Sequence, residues 1–352
     1  MAPSIESFKM PHLATGISAP PLSLVTLVKK DRKHSSVPRS GVKDQSARRK
    51  PAPPSADHGE EKDHHALIRY DELDEWRKDN DFVQTGYRKV SQGYVHSFQS
   101  IFKIHNETFN IWSHGIGCIA YLSLLPLLMI WAVDADFHAA TTMDIVMLGI
   151  FFSAVAICFL CSTTFHVLEN HSPLVWETVS QLDHIGIVLG VFGSTIPLAH
   201  FGFYCNHRIK IAYWILATVG SIGCGLAMTT PILRSPQGRH LRFALYSLFG
   251  LSTFMSAAHG VLINGWEKQN RMMGIDWFMG LAALNLVSMI IYALRIPERW
   301  IPLRFDVWGA SHQAMHVMVI GGAMSHSKGL LRSLAYWQEM HASPMGACPA
   351  NF

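Results

Sequence analysis

His312 and His316 stand four residues apart in a stretch, Trp308 to His326, that contains no Asp, Glu, Lys or Arg. That spacing brings two side chains to one face of a helix, one turn apart. Two imidazoles so placed can hold one transition metal through ring nitrogens. The stretch is about long enough to cross a bilayer, where polar side chains are costly unless they face a bundle interior or a wet cavity. Ser162 and His166, one turn apart at the end of a second apolar run, and Asp183-His184 at the start of a third are the polar groups at matching depth. Three imidazoles, His166, His312 and His316, with one open position form the ligand set of a catalytic zinc. Such an ion acidifies a water at neutral pH. Three tasks suit Asp183: orienting that water, accepting its proton, or holding a ligand in one tautomer. Ser162 shares a face with His166 and suits a hydrogen bond to a metal-bound oxygen; bonding to its own helix backbone is the plainer alternative. His184 is an ambiguous extra candidate. His200, His259 and His326 lie toward the other membrane face and are expected to be structural.

The elements that must position these groups follow from composition. The chain has 352 residues, 49% hydrophobic and 15% charged, against about 25% charged in an average soluble domain. The charge deficit begins near residue 110. Beyond it, apolar runs at about 115–133, 145–166, 184–204, 211–230, 243–264, 277–294 and 308–326 are each long enough to span and essentially free of full charges. They are continuous rather than alternating, which predicts helices and excludes a β-barrel. The expected fold is therefore an all-α integral membrane protein, a seven-transmembrane helix bundle. Span parity puts the end of span two, the start of span three and the start of span seven on one side, whichever way the bundle is inserted. Before it come a disordered basic arm, 1–64, rich in Pro, Ser, Lys and Arg, and a juxtamembrane segment, 65–114, with Trp76, Tyr87, Tyr94 and Trp112 as interfacial anchors. The membrane domain is expected to cover 115–330 and a short tail 331–352.

Arg77, Lys78, Arg88, Lys89 and Lys103 precede span one, and the loop after it has no Lys or Arg until Asp144. That bias predicts a cytoplasmic N-terminus and an extracellular or lumenal C-terminus. The sequons at Asn106 and Asn170 are then expected to stay bare. Met1 to Lys30 lacks an uninterrupted apolar run, so span one is expected to act as the insertion signal. The net charge of +4 sits mostly in the arm and suits an anionic membrane face; no basic stripe with interleaved aromatics points to nucleic acid. The six cysteines, Cys118, Cys158, Cys161, Cys205, Cys224 and Cys348, read as small buried residues rather than a disulfide framework. Span seven has no Lys for a retinal Schiff base.

Taken together, Glu72-Leu73-x-Glu75-Trp76-x-x-Asp79-Asn80, Gly86-Tyr87-Arg88, His105-Asn106-Glu107-Thr108-x-Asn110-Ile111-Trp112, Ser162-x-x-x-His166, Leu182-Asp183 and Ser311-His312-Gln313-x-x-His316 resemble the progestin and adiponectin receptor family, which includes fungal zinc-homeostasis and haemolysin III-like proteins. The resemblance covers about 70–330. It implies seven helices with a cytoplasmic N-terminus. It also implies zinc on His166, His312 and His316 with a water, Asp183 near that water, and Ser162 in the surround. It further implies hydrolysis of a membrane lipid amide of the ceramide type, with Asp183 returning a proton to the leaving amine. A receptor for an extracellular protein or steroid ligand, with zinc as a structural clamp, is the alternative. Either places the chain as a multi-pass protein of the plasma membrane or an endomembrane. His184 stands where adiponectin receptors tend to carry Tyr, and Met315 where an aromatic is frequent; neither removes a ligand.

Overall fold

The computed structural model describes residues 66–133, 140–234, 236–344 and 347–348. The arm expected at 1–64 lies outside them. A two-residue antiparallel pair, β1 (Leu67–Ile68) with β2 (Tyr87–Arg88), closes a small loop around Leu73, Val83 and Tyr87. Helices follow: α1 (Tyr94–Gln99), α2 (Thr108–Val133), α3 (Thr142–Leu168), α4 (Pro173–Gly202), α5 (His207–Met228), α6 (Pro231–Arg234), α7 (Arg239–Asn264), α8 (Trp266–Met273), α9 (Ile275–Leu294) and α10 (Ser311–Ala342).

Six of these, α2, α3, α4, α5, α7 and α9, are long and apolar enough to cross a membrane. They turn Ile116, Ile119, Ile215, Leu226, Leu251 and Leu286 outward. Leaving such a surface in water costs about 25 cal/mol per Å², whereas lipid removes that cost. The protein is a multi-pass integral membrane protein.

Several helices begin earlier than the apolar runs predict, because polar residues supply their first turns. Pro173 starts α4 at a position whose N–H would have no helical partner. Thr141 caps α3 by accepting from the Asp144 N–H, and Asp144 reaches back to the Thr141 N–H. At the other end, α10 continues to Ala342, through most of the stretch expected as a tail. Its apolar face simply resumes beyond Lys328: Leu330, Leu334 and Trp337 are fully buried, and the Trp337 indole N–H donates to the Phe201 carbonyl at 3.0 Å. A window tuned to uninterrupted apolarity stops at the lysine.

Small residues set the helix spacing. A Cβ on Gly193 would lie 2.2 Å from that of Ala154, and one on Gly186 would lie 3.2 Å from the Cys158 Cα, so α3 and α4 touch almost backbone to backbone. Gly274, at φ +64°, sits against the Gly329 carbonyl where α9 starts beside α10; only glycine meets both demands.

The bundle end formed by the start of α3 and the ends of α4 and α10 holds the buried Asp144 carboxylate. It accepts from His200 Nε2 at 2.7 Å and from the Tyr204 hydroxyl at 3.0 Å. Here the cysteine reading is corrected. Cys205 and Cys348 form a disulfide, while Cys118, Cys158, Cys161 and Cys224 are free. The partners lie 143 residues apart, and only the extra turns of α10 bring the tail back to the end of α4.

Candidate metal centre

The opposite bundle end gathers the starts of α2, α4 and α10 with the end of α3. His166 ends α3, and His312 and His316 occupy the first two turns of α10. The three ring centroids form a triangle with 5.0 Å sides. One ligand atom from each ring lies within 4.8 Å of the other two. A tetrahedral ion with bonds of ~2.1 Å asks for separations of about 3.4 Å, within a small rotation of the rings. His166 and His316 are buried and His312 is half-buried. The Nε2 of His166 is buried with no hydrogen-bond partner, while its Nδ1 meets Glu107 Oε2 at 2.8 Å. An orphaned lone pair facing two other imidazoles fits a metal ligand and costs about 1–3 kcal/mol otherwise. The residues present therefore fit zinc.

Asp183 is half-buried in the third turn of α4. The Ser162 side chain lies beside its carboxylate, and the rings of His166 and His184 are its ionisable neighbours. The structure thus brings all five sequence-selected residues to one end of the bundle, with Ser162 facing Asp183. His184 is held apart: its Nδ1 donates to the Ser180 carbonyl at 2.6 Å and its ring stacks toward Tyr246. His200, His259 and His326 are bonded to Asp144, Tyr213 and the Ser194 carbonyl.

Both ligand helices are also held by residues outside the apolar spans. Glu298, fully buried, accepts from the Ser311 N–H at 2.8 Å, from the Ser311 hydroxyl, and from Asn80 at 3.0 Å. A carboxylate there complements the N-terminal dipole of α10 one residue before His312. Gln313 donates to the Val307 carbonyl at 2.7 Å and the Asn106 carbonyl at 3.2 Å. At the end of α3, the buried Arg88 guanidinium donates to the carbonyls of His166 at 2.5 Å and Val167 at 3.0 Å, and pairs with Glu169 at 3.3 Å. These carbonyls are among the four that a helix end leaves unbonded. Replacing Arg88 with Met is expected to cost about 3–5 kcal/mol, because Glu169 and two carbonyls lose a buried partner. Thermal denaturation in detergent checks this, and Arg88→Lys should recover little, since one ammonium cannot serve the same fork of acceptors.

Two juxtamembrane expectations change. Tyr87 is not an interfacial anchor: it is buried and its hydroxyl donates to the Val83 carbonyl. Both sequon asparagines are buried, Asn170 holding the Lys89 carbonyl and the Ser97 hydroxyl. Bare sequons would therefore report burial as readily as side. His105 is a neutral structural ring. Its Nε2 donates to the Ser100 carbonyl and its Nδ1 accepts from the Glu107 N–H, each at 3.1 Å. Burial, aided by the Arg88 charge, pushes its pKa from 6.5 down to about 4. Between these values the unfolded chain binds the proton and the folded one does not, so stability falls as pH drops through that window. The melting temperature of the wild type should therefore fall more steeply from pH 6.5 to 4 than that of His105→Asn, measured with the same detergent.

Three residues at the start of α2 belong to the centre without having been singled out from the sequence for a role: Glu107, in the turn just before the helix, and Ser113 and His114 within it. Ser113 Oγ meets His316 Nδ1 at 3.1 Å, and the buried His114 ring stacks on His316 at 3.7 Å. Their signal was a polar stripe, Glu107, Asn110, Ser113 and His114, at helical spacing in an otherwise apolar helix.

A protein-family model described as haemolysin-III related matches residues 102–327. The chain is 33% identical over 270 residues to the adiponectin receptor protein of Drosophila melanogaster, covering 77% of this chain and 60% of that one. It is 32% identical to heptahelical transmembrane protein 1 of Arabidopsis thaliana, covering 74% of this chain and 79% of that one. With the ADIPOR-like receptor IZH2 of Saccharomyces cerevisiae it shares 28% identity over 76% of this chain and 84% of the yeast protein.

Proposed function

The chain belongs to the haemolysin-III related family as an adiponectin-receptor-like membrane protein, and on that premise we propose that it is a zinc-dependent hydrolase of a membrane lipid amide of the ceramide type. The observation that carries this is the triangle of His166, His312 and His316, one nitrogen from each within 4.8 Å of the others. In this reading α10 is the seventh span. Its charge-free first half lies in the bilayer, and its turns from Lys328 onward emerge from it. The N-terminus is cytoplasmic. The Cys205–Cys348 disulfide supports that orientation, because it lies at the bundle end away from the metal centre and disulfides persist in oxidising compartments.

When bound, zinc supplies Lewis acidity toward a carbonyl and a water. The chain's own groups do the rest. Asp183 accepts a proton as the water oxygen bonds to the amide carbon. It then gives that proton to the nitrogen as the carbon–nitrogen bond breaks, releasing a fatty acid and an amine. Ser162 holds the Asp183 carboxylate in place. A site between helices admits a lipid sideways from the leaflet, and its position near the cytoplasmic leaflet suits an amide carried close to the headgroups.

The insect and yeast relatives are named as receptors, which keeps a second reading open: a receptor for an extracellular protein or steroid ligand, with zinc as a structural clamp. One experiment separates the two. The full chain in nanodiscs is assayed for fatty-acid release from ceramide, with and without chelator. Release that chelator stops is the expected result. Zinc-loaded protein with no release on ceramide would defeat the hydrolase reading and leave the receptor.

A further inference from the structure

The turn that leads into α2 and the first turns of that helix touch both halves of the metal centre, and their hydrogen bonds have a direction. Glu107 Oε2 accepts from Asn110 Nδ2 at 2.7 Å and lies 2.8 Å from His166 Nδ1. A carboxylate only accepts, so the Nδ1 of His166 carries the proton and its lone pair is on Nε2. That Nε2 is the buried atom without a hydrogen-bond partner. Two turns along, the Ser113 hydroxyl donates to the Asn110 carbonyl at 3.2 Å. Its proton is thereby spent, and its oxygen accepts from His316 Nδ1 at 3.1 Å. The His316 lone pair is then also on Nε2. Asn110 joins the two ends, through its amide to Glu107 and through its carbonyl to Ser113. His114 lies against the His316 ring, 15° from parallel, and fixes its plane.

We propose that Glu107 and Ser113 are positioning residues that set the tautomer of His166 and His316, so that both present Nε2 to the ion. The inference rests on the zinc reading above. It assigns the entry to α2, the Glu107 turn and the helix's first turns, which contribute none of the three histidines, the task of making two of them competent before metal arrives. A ring free to flip or to protonate at Nε2 binds less tightly, and partners of this kind are worth about 10–100-fold in metal affinity.

The test is zinc affinity of the full chain by competition with a chromophoric chelator, together with the ligand-field spectrum of the cobalt-substituted protein. Glu107→Gln and Ser113→Ala are each expected to weaken zinc roughly 10–100-fold and to alter the cobalt bands. Ser113→Thr, which keeps a hydroxyl, should restore both. The melting temperature of the metal-stripped proteins should stay near wild type, which a merely structural role would not predict. If Glu107→Gln fails to fold, the Ser113→Ala and Ser113→Thr pair decides alone. Wild-type affinity and spectra in both Glu107→Gln and Ser113→Ala, or in Ser113→Ala when it decides alone, would overturn the inference while leaving the zinc site standing. A wild-type chain that binds no zinc, or binds it as tightly after His312→Ala, would overturn the reading beneath it.

Discussion

A His316→Ala chain is expected to lose its zinc on purification, whereas the wild type retains roughly one ion per chain. His316 is the least dispensable of the three imidazoles. It is almost fully buried and is the one held both by a hydrogen bond that its Nδ1 donates to Ser113 and by a stacked ring from His114. Zinc sites with four protein ligands hold the ion by about 10–16 kcal/mol, so losing one ligand costs about 3 kcal/mol, roughly a hundredfold in affinity. The proposed site draws on three histidines among the described residues, so the proportional loss is expected to be larger. Metal content by mass spectrometry is the first readout. The second is thermal: chelator should lower the melting temperature of the wild type, because the ion binds only the folded chain. The same chelator should leave the variant unmoved. A variant with full zinc content would show that the triangle is not the site.

The histidine triangle was legible because each member carries its own signal. A pair four residues apart in a charge-free run is anomalous in lipid, and span parity alone brings His166 to the same depth. Burial and helix periodicity do not need the tertiary structure to be read. The α2 contribution was not legible in the same way. Glu107 lies at the end of a polar segment next to Lys103, where a carboxylate is expected to be solvated, and only the fold shows it turned inward to His166 at 2.8 Å. His114 stood at the boundary between segment and span, where an interfacial ring is the default. The true start of α2 at Thr108 changes that default, since it places Asn110, Ser113 and His114 inside the helix.

The same physics explains the misread ends. Apolar windows locate what lipid touches, and they are blind to turns whose partners are other helices. α10 has a dozen residues beyond Gly329 whose inner face packs on the end of α4 through Leu334 and Trp337, with charges only on the outer face. Those turns carry the chain to Cys348, and the disulfide follows from them. From the sequence Tyr87 is expected to be an interfacial anchor and Arg88 one of the basic residues that set the orientation of span one. Instead they pair with Leu67 and Ile68 and send a guanidinium into the end of α3, which makes the juxtamembrane segment a brace for His166.

Asp183→Asn is expected to keep the zinc and lose the turnover. Asparagine has nearly the same shape and can still accept a hydrogen bond through its carbonyl oxygen, so the carboxylate's place beside Ser162 is preserved. What it cannot do is take a proton. If Asp183 is the group that passes the water's proton to the leaving nitrogen, fatty-acid release from ceramide should fall by about 10²–10⁴-fold, with zinc content and melting temperature near wild type. Ser162→Ala, by contrast, removes only a neighbouring hydroxyl and should slow the reaction far less. The comparison distinguishes the three tasks open to Asp183. Zinc lost together with activity would make it a holder of the metal shell rather than a proton carrier. Unchanged release would remove it from the chemistry altogether and leave the triangle to act without a base. Only retained metal with collapsed turnover fits a carboxylate that sits beside the imidazoles, within reach of Ser162, to move a proton between water and amine.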